Sequence, residues 1–202
     1  MTGNTQTDLI YTLNEYLAFE ERSEVKHEFI RGRVYAMAGG TFDHNIISNN
    51  LAVTVGRQLR SGCRGLSSDQ KIYIESANEV TYADLSIVCG DPSFAGKAPV
   101  LLTNPRVIFE VLSPSTEKWD RNGKWTLYQM ISSLTDYVLV SQDTAQIDHY
   151  TRADGGRWLY QRVAGIDGEI TIPLIGCTLP LVEIYNGVEL LAEPARPPIQ
   201  IV

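Results

Sequence analysis

No apolar stretch in the chain approaches the roughly 18 residues that a membrane span requires, and residues 1–7 are polar, with no hydrophobic signal segment. The expectation is a protein with no membrane contact, in the cytoplasm. Cysteine is scarce: Cys63, Cys89 and Cys177 are an odd number at wide spacing, which fits neither a disulfide framework nor a zinc pattern. They read as core or incidental thiols. Positive charge is lacking too, since 17 Lys and Arg stand against 24 Asp and Glu, for a net charge of −7. Wrapping nucleic acid by bulk electrostatics wants clustered cations, so any nucleic-acid contact must use a local patch. Internal repeats are absent, and the only low-complexity segment is the Pro-rich tail, residues 193–202. Neither a recognition helix, a zinc finger nor an aromatic RNA-stacking motif is present, so sequence specificity is unreadable.

What is there reads as a single domain over residues 1–202, long enough to bury a core of its own. Apolar residues at helical spacing predict a short helix over 9–19. Two β-prone pieces, 27–30 and 33–37, flank Arg31-Gly32 and predict a hairpin with Glu28 on its first strand. Ile47, Leu51, Val55 and Leu59 recur every four positions, with Asp43 as the expected N-cap and Gly62 as the stop, so a helix is expected over 44–61. Strands are expected over 65–75, 79–89 and 106–112, a helix over 121–132, and a strand over 136–141. The rest reads as an antiparallel meander with turns at Asp154-Gly155-Gly156 and Asp167-Gly168. This order suits α/β architecture with the core at about 44–141.

Chemistry enters at Glu110, an acid inside Val107-Ile108-Phe109-Glu110-Val111-Leu112, a run that reads as a strand buried on both faces. Asp84 interrupts a second strand. If the two strands are neighbours, both carboxylates can meet on one face at roughly 5 Å between Cβ atoms. Two such carboxylates in a poorly solvated place repel, and either one takes a proton or both take a cation. Mg²⁺ needs only one or two carboxylates plus waters and a phosphate oxygen. The plainer reading is that Asp84 ends a turn and Glu110 pairs with a buried Arg. Lys124 shares a helix face with Asp120, Leu127 and Ile131. It either reaches the carboxylates from that apolar stripe or forms an exposed pair with Asp120.

Three stretches, Tyr82-Ala83-Asp84-Leu85, the Glu110 strand running on to Ser113-Pro114, and Asp120-Arg121-Asn122-Gly123-Lys124-Trp125, resemble the Uma family of restriction-endonuclease-like proteins, within the PD-(D/E)XK nuclease superfamily. The resemblance extends to Thr12–Leu17, His27–Val34, His44 and Asp136–Val140. It implies an α/β fold with a restriction-endonuclease-like αβββαβ core, a mixed central sheet flanked by helices, an N-terminal hairpin and C-terminal antiparallel strands. It implies a metal-dependent endonuclease hydrolysing DNA phosphodiester bonds with Mg²⁺ or Mn²⁺, and it admits a homodimer. Asp84 and Glu110 match the motif's acids as catalytic residues and metal ligands. Ala83 stands where the superfamily pattern has Pro, and Leu112 where it has Lys. The resemblance places the displaced lysine at Lys124, and matches Glu28 and His44 to further metal-site positions. Residue by residue, Glu28 also reads as a hairpin surface acid and His44 as a polar cap.

Candidate DNA contacts are Arg57, Arg60 and Arg64, Lys118, Arg121 and Lys124, and, less strongly, Gln70 and Lys71. Two other classes compete: a catalytically inactive nuclease-fold module that binds nucleic acid or protein, and metal-free acid/base hydrolysis of a glycoside by the same carboxylates.

Overall fold

The computed structural model describes residues 9–191, so segment 1–7 and tail 193–202 lie outside the described residues. Helix α1 (Leu13–Glu20) opens on a capping box in which the Thr12 hydroxyl accepts from the Glu15 N–H and the Glu15 carboxylate accepts from the Thr12 N–H. The hairpin follows where expected, as β1 (His27–Ile30) and β2 (Arg33–Ala36). Its two-residue turn holds Arg31 and Gly32 at φ of 51° and 75°, the geometry that matches strand twist.

Helix α2 (Phe42–Gln58) buries Ile47, Leu51 and Val55. Its cap is Thr41, whose hydroxyl accepts from the His44 N–H, in place of the expected Asp43. His44 therefore stands in the first turn, where its side chain is free to leave the helix axis. The helix ends at Gln58, short of Gly62, whose φ of 84° serves the next turn.

Both long predicted strands are broken. The first becomes β3 (Cys63–Ser67) and β4 (Lys71–Ile74), and the second becomes β5 (Glu79–Tyr82) and β6 (Leu85–Cys89), interrupted at Ala83-Asp84. Then come β7 (Phe94–Ala95), β8 (Leu101–Leu102) and β9 (Val107–Leu112). In place of the predicted helix over 121–132, a π-helical segment, Trp119–Lys124, runs into a single turn of α-helix, α3 (Trp125–Tyr128). The chain closes with β10 (Asp136–Ser141), β11 (Gln146–Arg152), β12 (Trp158–Ala164), β13 (Glu169–Ile172), β14 (Cys177–Pro180) and α4 (Leu181–Ile184).

Two six-stranded sheets result, β2-β1-β5-β4-β8-β7 and β12-β11-β10-β9-β6-β3, with β13 and β14 paired separately. The breaks at 68–70 and 83–84 are what send β4 and β5 to one sheet and β3 and β6 to the other. In the second sheet β9 runs parallel to β10 and antiparallel to β6, so the sheet is mixed, as expected. Val107, Phe109 and Val111 face a core shared with α2, β13 and β14, while Ile108 and Leu112 face one shared with α3 and β4. Alternation along the strand assigns Glu110 to the Ile108 and Leu112 side. Both faces are dry, which accounts for the unbroken apolar run.

One expectation fails outright. The β3–β6 register sets Cys63 opposite Cys89, and the two form a disulfide. Cross-strand pairing removes a separation of 26 residues that hid the relation in the sequence. Cys177, free and buried on β14, is the core thiol expected. Among the described residues no helix is long and apolar enough to cross a membrane.

Candidate active site

The break between β5 and β6 builds the site. Leu85 pairs with Phe109, and one further step of that antiparallel register sets Asp84 opposite Glu110, the cross-strand neighbour relation expected of them. Asp84 Oδ2 accepts the Val111 backbone N–H at 2.7 Å and lies 3.4 Å from His44 Nε2. Gly40 makes room for that histidine, because a Cβ at Gly40 would collide with the imidazole ring. Burial pushes the Asp84 carboxyl up, but His44 and the Val111 N–H outweigh it and hold the group below its ordinary range. His44 is raised in turn, chiefly by its hydrogen bond to Asp84.

Glu110 is held from the opposite layer. The Lys124 ammonium donates to Glu110 Oε1 at 3.0 Å and to the Tyr82 carbonyl at 2.9 Å, and the Tyr128 hydroxyl donates to the same Oε1 at 3.0 Å. No arginine is involved. Lys124 also lies 3.3 Å from Asp120 Oδ1 and 3.6 Å from Glu28 Oε1. Relative exposures of 2% for Asp120, 3% for Glu110 and 5% for Lys124 put the whole group out of bulk water. The pair with Asp120 exists, then, but as an interior contact and not an exposed one. Burial alone would lower the Lys124 ammonium, yet Glu110, Glu28 and Asp120 reverse this and raise it well above the ordinary lysine range. Glu110 is itself raised well above the ordinary carboxylate range, by burial first, with Lys124 opposing. The acids thus keep the proton on Lys124, while burial disfavours the charged form of Glu110.

The π-helical segment matters to this geometry. Glu28, on β1, receives the Trp119 indole N–H on Oε2 at 2.9 Å. The indole ring lies over Gly123, where any Cβ would run into it. The wider winding of a π-helix changes which side chains share a face, and here Trp119, Asp120 and Lys124 all turn inward. Sequence reasoning missed Asp120 as a site group, although its place on the same apolar stripe as Lys124 was the available signal. Tyr128, four residues past Lys124, carried the same signal. The link from Trp119 to Glu28, across 91 residues, had none.

The structure thus joins Asp84 to His44, and Glu110 to Lys124, Glu28 and Asp120, along one cavity of about 610 Å³ that Asp84, Glu110, His44 and Lys124 all line. It does not gather the four expected ligands into a cage: among the described residues no three His, Cys, Asp or Glu side chains are grouped to hold an ion. Leu112, at the superfamily's lysine position, is core. Lys124 brings an ammonium to Glu110 from the neighbouring layer instead.

A family model described as "Putative restriction endonuclease", Uma2, matches residues 13–181. The chain belongs to the Uma2 family. Two uncharacterized proteins of Synechocystis sp. are similar to it, one at 40% identity over 86% of this chain and 90% of its own length, the other at 32% over 81% and 93%. The fold is that of a solved structure titled a "putative nuclease belonging to DUF820" from Anabaena variabilis, with a TM-score of 0.70 at 15% identity, covering 86% of this chain and 97% of that one. In this Uma2 chain the expected DNA contacts divide. Arg57, Arg60, Arg64 and Lys118 are exposed. Arg121 is held by Glu117 and Asp148, both at 2.7 Å, and Lys124 faces inward. Gln70 donates to the Lys71 and Val100 carbonyls, and the Lys71 ammonium sits 5.4 Å from the Tyr82 ring centroid.

Proposed function

We propose that this protein is a divalent-metal-dependent endonuclease that hydrolyses phosphodiester bonds of DNA, with Asp84 and Glu110 as the metal ligands. The observation that carries this reading is the charge imbalance: Asp84, Glu110 and Asp120 line one cavity with Lys124, and Glu28 approaches the same buried ammonium from beside it. Glu28 Oε1 and Asp120 Oδ1 are buried without a hydrogen bond, each facing the one Lys124 ammonium at 3.6 and 3.3 Å. Buried negative charge in excess is costly unless a cation meets it. The donor set is all oxygen, and two carboxylates on an open cavity suit Mg²⁺ or Mn²⁺, which keep their waters, better than a closed four-ligand zinc site. When bound, such an ion supplies Lewis-acid stabilisation of charge on a phosphodiester and acidifies a water.

The chain's own residues do the rest. Lys124, fixed by Glu110 and the Tyr82 carbonyl, presents a permanent positive charge beside the acids to stabilise charge on the phosphate. His44 keeps Asp84 ionised and oriented. Glu28, anchored by Trp119, holds Lys124 from the far side. Arg57, Arg60, Arg64 and Lys118 offer phosphate contacts that position DNA without reading its sequence.

A second reading rests on Glu110 Oε1, which Lys124 and Tyr128 satisfy without any ion. A catalytically inactive binding module would have the same network. Cleavage of supercoiled plasmid and of single-stranded DNA in Mg²⁺, Mn²⁺ or EDTA separates the two, with Asp84→Ala and Glu110→Ala proteins purified identically. Metal-dependent cutting lost in both variants is the expected result. A folded protein that neither cuts nor binds Mn²⁺ calorimetrically is the binding module.

A further inference from the structure

A second cavity, of about 620 Å³, shares Lys124, Ser115 and Thr116 with the first and is lined by Glu28. Its walls are largely apolar and aromatic, formed by Ile30, Tyr35, Trp119 and Leu127. The hairpin register pairs Glu28 with Tyr35, and the β1–β5 pair Phe29 with Val80, carried one step on, sets Ile30 opposite Glu79. Glu28, Ile30, Tyr35 and Glu79 therefore share one face of the first sheet.

Two acceptors in this cavity make no hydrogen bond, although the Lys124 ammonium stands 3.6 Å from one of them, Glu28 Oε1. Glu28 Oε1 and Glu79 Oε2 are buried without a hydrogen bond among the described residues, on side chains of residues only 7% and 6% exposed. Burial raises the Glu79 carboxyl above its ordinary range, with the backbone N–H and guanidinium of Arg31, exposed at the rim, opposing it. Leaving a buried acceptor unpaired costs about 1–3 kcal/mol. Two of them beside aromatic walls call for a flat ligand whose edge donates N–H.

We propose that this cavity takes an unstacked, amino-bearing nucleobase, guanine, adenine or cytosine, of the strand being cut. The proposal rests on the nuclease reading and deepens it. Ionised carboxylates only accept hydrogen bonds, and the amino groups of these three bases supply donors in the way Glu and Asp accept from cytosine N4. The apolar faces of the base meet Tyr35 and Trp119, as stacked bases meet aromatic side chains in single-strand binding sites. Thymine has carbonyl oxygens on both sides of its one N–H, and these oppose the carboxylates. The volume lies within the range of small-molecule sites. Extrusion of a base next to the reacting phosphate costs least in single-stranded or damaged DNA, which would make such DNA the better substrate.

The test titrates the full-length protein in EDTA with dGMP, dAMP, dCMP and TMP, read by tryptophan fluorescence and calorimetry. The expected result is binding of the first three at least about tenfold tighter than TMP, the scale of one good base-edge contact. Glu79→Gln replaces an acceptor by an amide that can donate to thymine, so it should erase most of that preference while the melting temperature holds. Tyr35→Ala, on a half-exposed residue, should weaken all three without unfolding the protein. Equal affinity for TMP, or a preference unmoved by Glu79→Gln, overturns the proposal. Plasmid cleavage on the same preparations keeps the two readings apart: selective binding without metal-dependent cutting removes the nuclease and leaves the cavity, whereas cutting without selective binding removes the cavity alone.

Discussion

Lys124 is the residue on which most of the site's electrostatics turn, because Glu110, Asp120 and Glu28 all lie within 3.6 Å of its ammonium. Replacing it by Met keeps the stem's volume but leaves three interior acids without their counter-charge. Breaking a buried pair in this way typically costs about 3–5 kcal/mol, and urea unfolding should register a loss of that order together with loss of plasmid cleavage. The Lys124→Met/Glu110→Gln double variant removes both charges and should recover much of the stability while staying inactive. Recovery of cleavage in that double variant would contradict the assigned roles. The acids and the lysine were legible in the sequence because each interrupts an apolar pattern that should not contain it. His44 and Glu28 were not legible residue by residue, since a first-turn histidine and a hairpin acid have ordinary surface explanations. What places them is contact with Asp84 and with Trp119, both distant in the chain.

At the scale of elements, the hairpin and α2 could be read because their signals are local: Arg31-Gly32 between two β-prone pieces, and four apolar residues at a constant interval. The π-helical segment could not, because over six residues a wider turn leaves almost the same pattern as an α-helix. Gly123→Ala tests that segment directly. Its Cβ would collide with the Trp119 ring, so the indole must leave Glu28 or the backbone must rewind, and overpacking of this kind costs about 1–3 kcal/mol. A lower melting temperature, a shifted tryptophan emission and reduced cleavage should appear together. The same segment is tied to the second sheet by Asp148 on β11, which receives Arg121 at 2.7 Å and Arg162 of β12 at 2.7 Å. Burial pushes the Asp148 carboxyl up, but Arg162, Tyr160 and Arg121 outweigh it and hold it below its ordinary range. A depressed carboxylate adds stability that is complete above its unfolded value, 3.8, and is lost as pH falls through its folded one. Asp148→Asn should therefore cost about 2 kcal/mol at neutral pH. In denaturant titrations at successive pH values, its difference from the parent should shrink below pH 3.8; a difference that stays constant into acid would mean that the arginines contribute nothing through charge.

For the molecule as a whole, the α/β class and the order of elements followed from the sequence, but the division into two sheets did not. That division depends on which strand segments pair across long separations, and a two-residue interruption such as Ala83-Asp84 decides it. The disulfide belongs to the same blind spot, for Cys63 and Cys89 meet only because β3 lies against β6. Closing a loop of 26 residues restricts the unfolded chain by about 3–4 kcal/mol. Asp84 precedes β6 at Leu85, while Cys89 ends that strand, roughly 16 Å away at the usual rise per residue. Reduction, or the Cys63→Ser/Cys89→Ser pair, should therefore lower the melting temperature by about 10 °C and leave cleavage at 25 °C unchanged. Cutting that fails while circular dichroism still reports the native fold would mean that the bond holds the register setting Asp84 opposite Glu110. The disulfide would then be a condition of activity as well as of stability, and the protein would work only where thiols are kept oxidised.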